Sequence, residues 1–146
     1  MADVGDLMAL ATQIKKQYSA ACKRVCDKYS LTQTEFDIIE YLSLKSPDNT
    51  AAHIAKQRQI EKANISTAVE RLIEKELLIR VPDASDRRRI RLILTEKAER
   101  ATREIEHAKE EFIKWLSSLL DEGELKEFVA ILEKLKSSEL KPSPAF

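Results

Sequence analysis

The chain has 146 residues, enough for one domain with a real core and not for several independent ones. Lys plus Arg equals Asp plus Glu at 25 each, so there is no global basic signature, and only two glycines and four prolines argue for a mostly helical protein. No apolar run approaches the roughly 18 residues that span a bilayer, and the N-terminus lacks a signal-peptide layout, so a cytoplasmic protein with no membrane partner is expected.

Charge is unevenly distributed along the chain. Residues 1–50 carry 6 basic and 7 acidic side chains, 51–103 carry 13 and 8, and 104–146 carry 6 and 10. The middle third is therefore the part suited to a polyanion.

From Leu7 to Tyr29, the residues Leu7, Ala11, Ile14, Tyr18, Ala21, Cys22, Val25 and Tyr29 recur at three- and four-residue steps, which predicts one long amphipathic helix. Thr32 to Glu35 fits a capping box, and a second helix follows to about Leu44 with Phe36, Ile39 and Leu42 inward. Ser46-Pro47-Asp48-Asn49 breaks it. A short third helix runs from Ala51 to about Gln57 with Ala52, Ile54 and Ala55 inward. A fourth spans roughly Glu61 to Glu76 on a stripe of Ile65, Ala68, Val69, Leu72 and Ile73. Two helices joined by a short turn, the second presenting polar donors near its start, form a helix-turn-helix pattern.

Two β-prone runs follow, Ile79 to Val81 and Arg89 to Leu94, separated by a charged turn from Pro82 to Arg88. They predict a hairpin with a basic tip, in which Pro82 ends the first strand and Ile90, Leu92 and Leu94 turn one face to the core. A solvated hairpin is the plainer reading; directly behind a helix-turn-helix it becomes a wing. Thr95 then caps a long helix to about Leu120, with Ala98, Ala101, Ile105, Ala108, Phe112, Trp115 and Leu119 in near-heptad steps. Asp121 begins a last helix with Leu125, Phe128, Val129, Leu132 and Leu135 on one face. These unmatched terminal stripes imply a homodimer.

The expected fold is mainly α with a small β-hairpin wing. Residues 1–30 and 96–140 supply long dimerisation helices, 31–95 the winged helix-turn-helix, and 141–146 a flexible tail.

Leu31-Thr32, Phe36 and Ile39, the segment Leu72 to Arg80, Asp86-Arg87-Arg88 and Leu94-Thr95-Glu96-Lys97 together resemble the MarR family of bacterial winged helix-turn-helix transcription regulators, in order and spacing over about residues 7–138. The family usually has Gly where Glu76 and Ala98 stand. Glu76 is therefore expected either to occupy a left-handed helix cap or to shift the helix end. The resemblance implies a dimer in which the first, fifth and sixth helices intertwine and two winged modules read a pseudo-palindrome. It also implies a repressor released by a small ligand or by oxidation.

Asn64, Thr67 and Arg71 lie at i, i+3 and i+7 on one exposed face, with Lys62 and Ser66 beside them. Asn can pair with adenine and Arg with guanine or phosphate. In the wing, Asp86 and Arg88 match the family's Asp-x-Arg pattern, which implies a bracing carboxylate and an arginine directed at the minor groove; Arg87 and Arg89 are expected to meet phosphate. The partners are thus double-stranded DNA, a second copy and a small-molecule effector. A pocket for an aromatic acid or its coenzyme A thioester could draw on Tyr18, Cys22, Phe36, Ile39, His107 and Phe112, each of which also suits a core or surface role.

Two other functions stay open. One is a thiol-based oxidant-sensing repressor using Cys22 or Cys26, although both fall near the apolar stripe, where a thiol usually serves as a small core residue. The other is a winged-helix protein-interaction module that does not bind DNA. His53 and His107 lie in separate segments, so no metal or other cofactor is expected, and no catalytic constellation points to an enzyme.

Overall fold

The structure, a computed structural model, describes residues 3–145. In chain order the elements are α1 (Val4–Tyr29), α2 (Gln33–Ser43), α3 (Ala51–Arg58), α4 (Lys62–Glu74), β1 (Leu78–Pro82), β2 (Ile90–Leu94), a 3-10 turn (Glu96–Ala98), α5 (Glu99–Ser118) and α6 (Glu122–Ser137). A mainly helical chain with one two-stranded antiparallel hairpin among the described residues is the expected winged helix-turn-helix architecture. It divides into two compact units between Glu110 and Glu111.

In the first unit, side chains set the helix starts. Asp3 and Asp6 form a reciprocal capping box, so α1 begins three residues before the Leu7 that the apolar periodicity marks. Thr32 and Glu35 form the expected box at α2, and Thr50 caps α3 through the His53 amide.

The helix ends are closed by left-handed residues that are not glycine: Ser30 at φ 53°, Gln59 at φ 53° and Glu76 at φ 62°. Each supports a Schellman-type closure, in which the next amide reaches back into the last turn. Leu31 N–H bonds Cys26 O at 2.8 Å, Ile60 bonds Ala55 O at 3.0 Å and Leu77 bonds Leu72 O at 3.0 Å. Of the two expectations for Glu76, the left-handed one holds.

The core gathers around α2. Phe36, Ile38 and Ile39 pack with Ile54 of α3, Ile65 and Leu72 of α4, Leu78 of β1 and Ile105 of α5, each at most 1% exposed. Because neighbours surround α2, its burial exceeds the single stripe expected. Tyr41, Glu35 and Glu40 are buried as well. Glu35 accepts from the Thr32 amide and, at 3.0 Å, from Lys75 Nζ, which also donates to Ser30 O. Glu40 accepts from Arg58 at 2.8 Å and from Lys109 at 2.8 Å, joining α2, the end of α3 and α5.

Two inward assignments fail. Ala52 is exposed because Ala51, Ile54 and Ala55 define the inner face of α3, and position 52 falls at the side of that face. Ile90 is 41% exposed while Leu92 is 2% exposed, so β2 leaves the core before it reaches the wing tip. The hairpin register pairs Leu78 with Leu94, Arg80 with Leu92 and Pro82 with Ile90.

In the second unit, Asp121 and Glu124 form another capping box. Phe112 and Trp115 meet at the end of α5 with their rings tilted by 37° and centroids 5.8 Å apart. Helix α6 has no buried residue, and Val129, Ile131, Leu132 and Leu135 are all 46 to 56% exposed. Residues 141–145 form no helix or strand; position 146, expected in the flexible tail, and positions 1 and 2, expected in the first dimerisation segment, lie outside the described residues.

Candidate nucleic-acid interface

Helix α4 is amphipathic in the sense a reading helix requires. Ile65, Ala68, Val69 and Leu72 fix it to the core, while Lys62, Asn64, Ser66, Thr67 and Arg71 are all exposed. Its first residue follows Glu61, which makes no side-chain capping bond, so the leading amides stay open. Thr67 Oγ1 donates to Ala63 O at 3.1 Å and remains exposed. Among the described residues, no hydrogen bond or ion pair engages the side chains of Lys62, Asn64, Ser66 or Arg71.

The wing tip is a folded turn. Asp83 and Arg89 close it through a backbone bond of 2.9 Å, and Arg89 N–H returns to Asp86 O at 3.0 Å. Asp86 Oδ1 accepts from the Arg88 amide at 3.0 Å, a local bond that stiffens the turn. Asp83 accepts from the Ser85 amide and hydroxyl; these bonds hold its carboxyl below the ordinary range.

The arginines divide into two groups. Arg87 and Arg88 have no ion-pair partner among the described residues. Arg80 is paired with Glu70 of α4, Arg91 Nε donates to Asn49 Oδ1 at 3.1 Å, and Arg89 pairs with Asp48 at 3.1 Å. Arg89, expected at phosphate, is thus held by the α2–α3 connection.

Asp48 and Asn49, legible in sequence as part of a helix break, form the inner support of the wing. Asn49 O accepts from Leu92 N–H at 3.0 Å while Asn49 Nδ2 donates to Leu92 O at 3.0 Å. Tyr41 Oη donates to Asp48 O at 3.0 Å. For the Asp48 carboxyl, burial acts to raise its pKa, but Thr50, His53 and Arg89 outweigh it and hold the group below the ordinary range. The available signal is an Asp-Asn-Thr run before a helix, where short polar side chains bond local backbone.

The six residues suggested for an effector pocket do not converge. Tyr18 lines a cavity of about 660 Å³ with Lys15, Gln33, Asp37 and Arg58. Cys22, Phe36 and Ile39 are fully buried core residues, and Phe36 meets the Tyr18 ring edge-on at 6.3 Å. His107 is exposed on α5, and Phe112 belongs to the second unit.

Both cysteines are free. Burial pushes the Cys22 thiol up despite hydrogen bonds from Gln33 and Tyr18; burial and then Cys22 push the Cys26 thiol up to about 11. No group of three or more His, Cys, Asp or Glu among the described residues could hold a metal ion, and no helix among them is long and apolar enough to cross a membrane.

Comparison with known proteins agrees with this geometry. Residues 29–89, which run from the end of α1 into the wing, match the model of the MarR family. An uncharacterized HTH-type transcriptional regulator of Bacillus subtilis, YpoP, is 26% identical over 130 residues, covering 89% of this chain and 91% of that protein. The fold superposes on MepR of S. aureus, solved with DNA, at a TM-score of 0.75 and 24% identity, covering 93% of this chain and 96% of that one. It also superposes on BpsR of Bordetella bronchiseptica, a protein whose DNA binding is regulated by 6-hydroxynicotinic acid, at 0.71 and 22% identity over 92% and 93% of the two chains.

Proposed function

We propose that this chain, a winged-helix transcription regulator of the MarR family, works as a homodimer that represses from a pseudo-palindromic operator and is released by a small organic effector. One observation carries the DNA-binding part. Where a duplex would lie, Lys62, Asn64, Ser66 and Arg71 on α4 and Arg87 and Arg88 on the wing are exposed and uncommitted, whereas neighbouring Arg80, Arg89 and Arg91 are bound within the protein. Uncommitted cations beside a line of short polar side chains suit phosphate and base-edge contact.

The dimer reading rests on the exposed apolar residues of α1 and α6. Leu7, Met8 and Leu10 are more than half exposed, and α6 buries nothing, faces that a second copy would cover. The effector reading rests on the cavity beside Tyr18, whose size falls in the range of small-molecule sites and whose Lys15 suits an aromatic acid or its coenzyme A thioester. A cytoplasmic location goes with that role. The raised thiols weigh against oxidant sensing, because the reactive species is the thiolate.

The test is selection of bound duplexes from a random pool, followed by binding across a salt series. Enrichment of a two-fold-related sequence, with affinity falling steeply as salt rises, is the expected result. No enrichment and a flat salt response would leave a protein-interaction module in its place. Aromatic acids, their coenzyme A thioesters and peroxide are then added to the complex; release by one of the organic compounds and not by peroxide is expected.

A further inference from the structure

We propose that Asp48 is a positioning residue for the wing: its carboxylate holds Arg89 against the start of α3, fixing the hairpin's pitch and withholding that arginine from DNA phosphate. The inference rests on the DNA-binding reading above.

The geometry is two-sided. Asp48 Oδ1 is occupied by the Thr50 amide at 3.1 Å and hydroxyl at 2.7 Å, which fixes the carboxylate to the N-terminal turn of α3. Asp48 Oδ2 takes Arg89 at 3.1 Å and has His53 Nδ1 at 3.5 Å. The next residue, Asn49, binds both backbone groups of Leu92 and the Arg91 guanidinium, so two adjacent residues grip the second strand and its approach at positions 89, 91 and 92. Tyr41 of α2 anchors the Asp48 backbone in turn. The support therefore runs from a core helix through one dipeptide to the base of the tip that carries Arg87 and Arg88. A hairpin held only by its own ladder would rock about the point where Ile90 leaves the core; this contact removes that freedom.

Arg89 consequently differs from its neighbours. It carries a charge of the right sign in the right place, but its guanidinium is committed. Its contribution to binding passes through the orientation of Arg88 and not through a released counterion.

The experiment uses the full chain with Asp48→Asn, Arg89→Ala and the double variant. Asparagine keeps an oxygen acceptor for Thr50 and removes the charge that holds Arg89, which separates the turn from the strut. Affinity and its salt slope are measured on a duplex selected by the unmodified protein, and amide exchange of Arg89 and Leu92 is measured without DNA. Each single variant is expected to lose roughly three- to tenfold in affinity, and the double variant no more than the weaker single, since both break one contact. Arg89→Ala is expected to keep the salt slope of the unmodified protein, and both variants to exchange faster at the wing. A slope lowered by about 0.9 in Arg89→Ala would make Arg89 a phosphate contact and overturn the proposal. Additive losses, or unchanged affinity and exchange in Asp48→Asn, also overturn it. If the unmodified protein enriches no duplex, the DNA reading fails on its own, and exchange alone decides whether Asp48 holds the wing.

Discussion

Lys75, at the C-terminal cap of α4, donates to Glu35, a carboxylate with no solvent exposure at the start of α2, across 3.0 Å. The same ammonium reaches Ser30 O at the end of α1, so one side chain ties α4 to the junction of α1 and α2.

Removing the ammonium strands the buried charge. Lys75→Met is expected to lower unfolding stability by about 2 to 3 kcal/mol, less than for a fully buried pair because Lys75 is partly exposed. Adding Glu35→Gln should recover part of that loss, since a neutral amide needs no counter-charge and can still accept from the Thr32 amide. Urea unfolding of the single and double variants checks this; a double variant weaker than Lys75→Met would contradict it.

Arg71→Ala should lower the salt slope of DNA binding by about 0.9, as one lost phosphate contact, and Arg88→Ala should weaken binding strongly, as loss of an arginine from the minor groove. Asn64→Ala should instead cost about 1 to 3 kcal/mol on the selected duplex and relax preference at one base pair. Far-UV circular dichroism of all three is expected to match the unmodified protein, because none of these side chains is bound within it.

Glu76→Gly should stabilise the protein by roughly 0.5 to 1 kcal/mol, as glycine adopts the left-handed cap at φ 62° without a Cβ penalty. The substitution removes an exposed ion pair with Lys97 at 3.3 Å, which has little weight in water. The bond from Thr95 Oγ1 to the residue 76 carbonyl survives the change. A lower thermal midpoint would show that the side chain matters more than the backbone.

Alkaline pH should destabilise the fold through its thiols. Burial raises both cysteines, so folding favours the protonated forms. Their stabilisation is complete below the ordinary thiol value of 9.0 and, for Cys26, is lost as pH rises toward about 11. Cys26→Ser should flatten the stability profile between those limits. A profile as steep as that of the unmodified protein would place the titration elsewhere.

Val129→Glu with Leu132→Glu adds charge to the exposed apolar face of α6 without disturbing a buried residue. Light scattering should show a shift from dimer to monomer, with loss of affinity for a two-fold-related duplex. An unchanged mass would assign that face to something other than self-association.

Periodicity and capping chemistry make the elements legible: Thr32 and Glu35, the stripe of α4 and the Pro82 strand end are all local signals. The Asp3 start escapes periodicity because a capping box can extend a helix beyond its apolar stripe. Ala52 and Ile90 escape it because local pattern cannot show which neighbour ends where. The candidate site is readable as a list of exposed polar residues on α4 and the wing, but not in its division of labour. Arg87, Arg88 and Arg89 are identical neighbours in sequence, and only Asp48, folded next to one of them, sets Arg89 apart. The partners of Glu35 and Glu40 lie 40 and up to 69 positions away, beyond any helical spacing.

The grip of Asn49 on Leu92 has a consequence for the protein in the crowded state. A foreign strand approaching β2 from outside finds both backbone groups of its middle residue already taken, and one approaching β1 meets the donorless nitrogen of Pro82. Neither rim of the hairpin can template strand exchange or fibril growth along its full length, so an exposed wing can be displayed at high concentration without recruiting copies of itself.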